Sequence, residues 1–236
     1  MGDAPVRLPS ARVIVLVPTR LEMRRLFPEL GDAPFDRTPR EWLAETSTRP
    51  AVSVAWCGFG LASAGAGAAA ILTKSQEVPC LVGFSGTLHR EALAVGAVLV
   101  ATSVESHGIG LPPSDDEPTA LDAELAADPS FAPPPPPVMT DALRAALGPD
   151  DRAGGLLSVS MPAHSVWEAS KRAVEHPSSL AEEMEALAVL HAAAACGRRL
   201  TILRGVTNKA GYRDKREWKI DDAVASVRGV LERWLR

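Results

Sequence analysis

Short apolar runs alternate along the chain with stretches whose apolar positions recur at helical spacing. Val13-Ile14-Val15-Leu16-Val17 is continuous and mostly β-branched, the pattern of a strand buried on both faces and therefore of a parallel sheet. Pro18-Thr19 stops it. Leu21, Met23, Leu26 and Phe27 then fall on one helical stripe, with Thr19 as the N-cap. Residues 51–56 predict a second strand, closed by Cys57-Gly58-Phe59-Gly60 and followed by an Ala-rich helix from Ala62 to Leu72. Cys80 to Phe84 predicts a third strand ending in Ser85-Gly86, and Val95 to Val104, introduced by Gly96, a fourth.

From Gly108 to about Gly155 the texture changes to acidic residues, Pro112-Pro113 and the run Pro133 to Pro137, none of which suits a strand ladder. This predicts a loop insertion at about 111–154, either a solvated excursion or a lid or oligomer contact. Within it, Thr140 to Leu147 predicts a short helix capped by Thr140 or Asp141 and ended by Gly148-Pro149. The regular pattern resumes with a strand at Leu156 to Met161, a long helix from Leu180 to Ala195 ending at Gly197, and a strand at Leu200 to Val206. A helix from about Asp221 to Leu235 closes the chain. The alternation predicts an α/β fold: one three-layer domain over 1–236, with a mostly parallel mixed sheet between helices and functional residues at the carboxyl ends of its strands.

Composition narrows the partners. The 236 residues are 46% hydrophobic and 23% charged, an ordinary globular balance that excludes a collagen-like or wholly disordered chain. A formal charge of -4, with Lys and Arg scattered, leaves no basic field for a phosphate backbone, so no nucleic-acid partner is expected. Cys57, Cys80 and Cys196 are odd in number and have small or apolar neighbours, as buried thiols in a reducing cytoplasm would. Near the N-terminus the longest apolar run is Val13 to Val17, too short for export or membrane insertion.

Two glycine motifs fall short of familiar signatures. Gly58-Phe59-Gly60-Leu61-Ala62-Ser63 has serine where a dinucleotide fingerprint needs its third glycine or alanine, so a tight turn or an anion site is the better reading. Gly83-Phe84-Ser85-Gly86-Thr87 has threonine where a nucleophile elbow needs glycine. The histidines His89, His107, His164, His176 and His191 show no ligand spacing, so neither a metal nor an organic cofactor is expected.

Three polar residues stand out by position. Glu22 follows the first strand at the start of a helix, as a solvated charge or a functional one. Glu185 borders an almost wholly apolar run, where an unpaired carboxylate would cost several kcal/mol; it must face solvent or hold a polar ligand. Asn208 ends a strand, as a turn residue or as a bidentate reader of a base edge.

The combination of Val17-Pro18-Thr19-Arg20-Leu21-Glu22, Gly58-Phe59-Gly60 with Ser63-Ala64, Gly83-Phe84-Ser85-Gly86, Glu183-Met184-Glu185-Ala186 and Arg204-Gly205-Val206-Thr207-Asn208, leading into Arg213-Asp214 and Trp218, resembles the purine nucleoside phosphorylase and nucleosidase superfamily. The Met-Glu motif carries the superfamily; Asn208 with the Arg-Asp and Trp tail resembles its futalosine hydrolase branch, which serves menaquinone biosynthesis. The resemblance implies that Glu22 activates the attacking water and that Glu185 accepts hydrogen bonds from the ribose hydroxyls as oxocarbenium character builds. It places Asn208 where adenine-specific relatives carry an aspartate that protonates N7. An amide there donates to a 6-oxo group and accepts from a protonated N7, which suits hypoxanthine or guanine. Gly60, Ser85, Gly86, Met184, Glu185, Arg213 and Trp218 would bind substrate, with Glu22 and Asn208 catalytic.

An arginine that phosphorylases of the superfamily carry after the third strand is missing from Gly83-Phe84-Ser85-Gly86, which implies water as acceptor. Departures from the family pattern are Thr87 and Ala186, each in place of a common glycine, and the proline-rich insertion. The expected function is hydrolysis of a 6-oxopurine nucleoside, futalosine first. The alternatives are a phosphate-dependent purine nucleoside phosphorylase and a nucleoside-binding module without catalysis. The resemblance also implies a homo-oligomer.

Overall fold

The computed structural model describes residues 12–31, 40–42, 52–108 and 133–235. The elements are β1 (Val13–Val17), α1 (Arg20–Leu26), β2 (Arg40–Trp42), β3 (Val52–Trp56), α2 (Gly60–Leu72), β4 (Val78–Thr87), β5 (Val98–His107), α3 (Asp141–Ala145), β6 (Arg152–Val159), α4 (Val166–Glu175), β7 (Ser179–Glu183), α5 (Ala186–Ala195), β8 (Thr201–Lys209) and α6 (Ile220–Trp234).

The sheet order is β2-β3-β1-β4-β7-β6-β5-β8, and β4 also pairs with β8, so five strands close into a ring through β4. Pairing is parallel for β1/β3, β1/β4, β4/β8, β5/β6 and β6/β7, and antiparallel for β2/β3, β4/β7 and β5/β8. The parallel strands are continuous apolar runs because helices cover both faces. On one face Ala64, Ala68 and Ile71 of α2 and Val189, Leu190 and Ala193 of α5 pack with Leu16, Leu81 and Ile202. On the other, Leu26, Leu143, Val227, Val230 and Trp234 pack with Val15, Val82 and Leu203. The small residues of α2 let it lie close to β3: a Cβ on Gly67 would sit 1.7 Å from the Cys57 carbonyl oxygen. Cys57, Cys80 and Cys196 are free thiols, the first two buried. Among the described residues no helix is long and apolar enough to cross a membrane.

Several boundaries differ from those the sequence predicts. The expected helix from Leu180 to Ala195 is a strand, β7, followed by a helix that starts only at Ala186. Ladder pairing with β6 and β4 outweighs helix propensity there, and the Glu183 carboxylate accepts from the Ala186 amide at 2.8 Å, starting α5 at that point. Amphipathic α4, capped by Ser165, and the short strand β2 were not anticipated. β4 continues through Ser85 and Gly86 to Thr87, β5 begins at Val98 rather than Val95, and β6 begins at Arg152, inside the expected insertion. β8 likewise continues past Val206 through Asn208. Leu21, placed on the buried stripe of α1, is 52% exposed because the helix is only seven residues long and packs through Leu26. Of the insertion, 109–132 lies outside the described residues; Thr140 caps α3 as expected.

One irregularity matters for the site. β4 and β8 pair regularly to Ser85 with Val206, and then Gly86 pairs with Asn208, leaving Thr207 as an extra residue.

Candidate active site

The ends of β1, β4, β7 and β8 surround a cavity of about 190 Å³. Glu22 enters it from the first turn of α1. The reciprocal bonds of a capping box fix its carboxylate: the Glu22 amide donates to Thr19 Oγ1 at 3.1 Å, and the Thr19 amide donates to Glu22 Oε2 at 2.9 Å. Its other oxygen accepts from the Phe84 amide at 2.7 Å, tying α1 to β4. Burial pushes the Glu22 carboxyl above the ordinary carboxylate range, with the Arg204 guanidinium opposing it.

Arg204 lies in the middle of β8 with no solvent exposure. Its Nη2 donates to Glu183 and stands 3.4 Å from Glu185 Oε2. Glycine at position 83 makes room for this charge, since a Cβ there would lie 2.1 Å from Arg204 Nη1 and 2.7 Å from Glu22 Oε1. Burial works against the guanidinium charge, but Glu183, Glu185 and Glu22 more than restore it. Glu183 is fully engaged, accepting from Ser158 Oγ at 2.5 Å and from the Glu185 amide at 2.9 Å.

Glu185 is the N-cap residue of α5, so its side chain turns toward the cavity instead of lying on a helix face. One oxygen accepts from the Gly60 amide at 3.1 Å, at the start of α2. Burial first, then the neighbouring Glu183 charge, raise its carboxyl well above the usual range. A carboxyl raised in the folded state favours folding below its unfolded pKa, and that contribution is lost as pH rises through the folded value. Glu185→Gln cannot ionise. Its melting temperature relative to the parent is therefore expected to rise between about pH 5 and about pH 9; a difference flat with pH overturns the assignment.

Asn208 sits opposite Gly86, its Oδ1 accepting from Thr207 Oγ1 at 2.8 Å and its Nδ2 donating to the Lys209 carbonyl at 2.8 Å. Alternation along a strand would send Thr207 and Asn208 to opposite sides, yet both line the cavity, because the extra residue re-aims them. Beside them the buried Ser85 Oγ has no hydrogen-bond partner among the described residues. The loop after β8 folds back through the Lys219 amide on the Thr207 carbonyl, 2.7 Å, and Trp218 Nε1 donates to the Tyr212 carbonyl at 3.2 Å.

Glu22, Ser85, Gly86, Met184, Glu185, Asn208, Arg213 and Trp218 thus line one cavity, and Gly60 reaches it through Glu185. Sequence reasoning did not single out Glu182, Glu183 or Arg204 as site residues, nor the wall residues Phe59, Phe84 and Tyr212. For Arg204 the signal was an arginine inside an apolar strand, which demands buried anions nearby. Glu182 also lines the cavity, held by the Ala163 amide at 2.8 Å and by buried Arg172 at 2.6 Å.

Comparison with known proteins gives the family and the fold. The family model described as the phosphorylase superfamily matches residues 12–236. Futalosine hydrolase of Streptomyces coelicolor is 31% identical over 168 residues, covering 68% of this chain and 69% of that protein. In fold, the chain is similar to a 5'-methylthioadenosine/S-adenosylhomocysteine nucleosidase from Colwellia psychrerythraea solved with adenine, at TM-score 0.68 and 19% identity over 95% of each chain. It is similar also to futalosine hydrolase of Helicobacter pylori, at TM-score 0.64 and 16% identity over 94% of this chain and 97% of that one. With a match that runs from β1 through α6 and a fold shared along nearly the whole chain, this protein belongs to the phosphorylase superfamily.

Proposed function

We propose that this N-glycosyl hydrolase cleaves a 6-oxopurine nucleoside, with futalosine as the substrate and water as the acceptor. The observation that carries the reading is the placement of an amide, Asn208, in the same cavity as the two raised carboxyls of Glu22 and Glu185. At the base end, Asn208 Nδ2 donates to O6 while Oδ1 accepts from protonated N7, with the unpartnered Ser85 hydroxyl beside them. Glu185 takes the ribose hydroxyls and stabilises the oxocarbenium-like transition state more than the ground state. Glu22, raised by burial, takes the proton of the attacking water.

Water is favoured over phosphate by charge. The buried cation behind the cavity, Arg204, is already engaged by Glu183 and is not free to hold a phosphate dianion. Arg213, at the exposed mouth, suits a carboxylate on the substituent of the ribose 5' carbon.

The test is incubation with futalosine, aminodeoxyfutalosine, inosine and methylthioadenosine, with and without phosphate, followed by chromatography of the free base. Hypoxanthine released from futalosine without phosphate is expected. A requirement for phosphate, or adenine as the preferred product, overturns the reading. In the same assay Asn208→Asp is expected to move the ratio of kcat/KM values toward the 6-amino substrate by at least about tenfold, because an edge whose polar groups are mismatched is rejected strongly.

A further inference from the structure

At the end of β5 and the C-terminus of α4, away from the cavity lining, His107, Glu175 and His176 come together. His107 and His176 are 69 residues apart, so no ligand spacing announces them. His107 Nδ1 lies 3.2 Å from His176 Nε2 and 3.7 Å from Glu175 Oε2, and the three ligand atoms are all within 4.8 Å of one another. Donors held about 2.0–2.1 Å from one tetrahedral ion stand about 3.3 Å apart, close to these separations. The two rings meet edge to face at 83°, so their ring nitrogens converge without the rings stacking.

Three further features favour a cation there. His176 Nδ1 is 2.9 Å from Glu105 Oε2, and Glu105 is itself held by Ser178 Oγ. With the proton on Nδ1, the Nε2 lone pair points to the cluster, the carboxylate-histidine arrangement that orients a metal ligand. The cluster closes the C-terminus of the ten-residue α4, where unpaired carbonyls and the helix dipole attract positive charge. The nearby Arg172 cation is balanced by Glu168 at 2.5 Å and Glu182 at 2.6 Å.

We propose that His107 Nδ1, His176 Nε2 and a Glu175 carboxylate oxygen bind a divalent transition-metal ion, Zn²⁺ by the ligand set, with water completing a tetrahedral shell. The side chains of His107, Glu175 and His176 are 32%, 39% and 18% exposed, so the ion enters from solvent. It clamps the end of α4 to β5. Through Arg172, α4 in turn holds Glu182 at the cavity wall.

The test is titration of chelator-treated protein with Zn²⁺ against a chromophoric competitor, repeated with Co²⁺ to read coordination from its visible bands. One equivalent per chain with intense four-coordinate Co²⁺ bands is expected. His107→Ala and His176→Ala should each weaken Zn²⁺ binding by at least about tenfold, and Glu105→Gln, which removes only the orienting carboxylate, by about tenfold. Metal-free melting temperatures of the variants verify that they fold. Zn²⁺ affinity unchanged in His107→Ala and His176→Ala, or weak six-coordinate Co²⁺ bands, overturns the site.

Discussion

Glu22→Gln is expected to lower kcat for nucleoside hydrolysis by about 10²- to 10⁴-fold while leaving KM nearly unchanged. The amide has the shape of the carboxylate and keeps one acceptor for the Thr19 or Phe84 amide, but it cannot take a proton from water. The parent should show an acid limb in kcat/KM above the ordinary carboxylate range. Burial raises the Glu22 carboxyl, and activity falls as pH drops through that raised value. Steady-state kinetics across pH checks both statements. A variant that retains activity within tenfold of the parent, or an acid limb at an ordinary carboxylate pKa, removes Glu22 from the base role.

Arg204→Met is expected to be the most destabilising single change at the site, by about 3–5 kcal/mol, because it removes the cation from among three buried carboxylates. For a chain of this size that is a fall of roughly 10 °C in melting temperature. The control is a second substitution. Glu183→Gln alone breaks the pair from the other side, but added to Arg204→Met it removes a buried charge and should recover part of the loss. Thermal denaturation of the parent, both single variants and the double variant closes the cycle. If Arg204→Met melts within about 2 °C of the parent, or the effects simply add, Arg204 is not the counter-charge.

How much of this was legible in the sequence depends on the range of the forces involved. β1, the Thr19 cap, α2 and α6 are local, each set by periodicity, capping chemistry or composition over a few residues, and the reading placed them within two residues. The segment from Leu180 to Ala195 looked helical throughout because its helix formers are local while the ladder partners of β7 are not. Glu185 was recognised as a carboxylate beside an apolar run, and the turn at Met184 decides that it faces the cavity. Arg204 is legible only as the first residue of the Arg204-Gly205-Val206-Thr207-Asn208 motif, without a role of its own, since its partners come from β7, the β7–α5 turn and α1. His107 and His176, dismissed for lack of spacing, meet only because β5 ends where α4 ends.

The extra residue at Thr207 makes the cavity sensitive to chain length as well as to composition. Thr207→Val keeps the two-for-one pairing and removes only a hydroxyl, so Asn208 stays opposite Gly86. Deleting one residue from this stretch of β8 would instead restore unbroken alternation and turn one of two adjacent side chains out of the cavity. A length change in β8 thus moves the base-reading edge itself, whereas a point change such as Asn208→Asp alters only the groups that the edge presents.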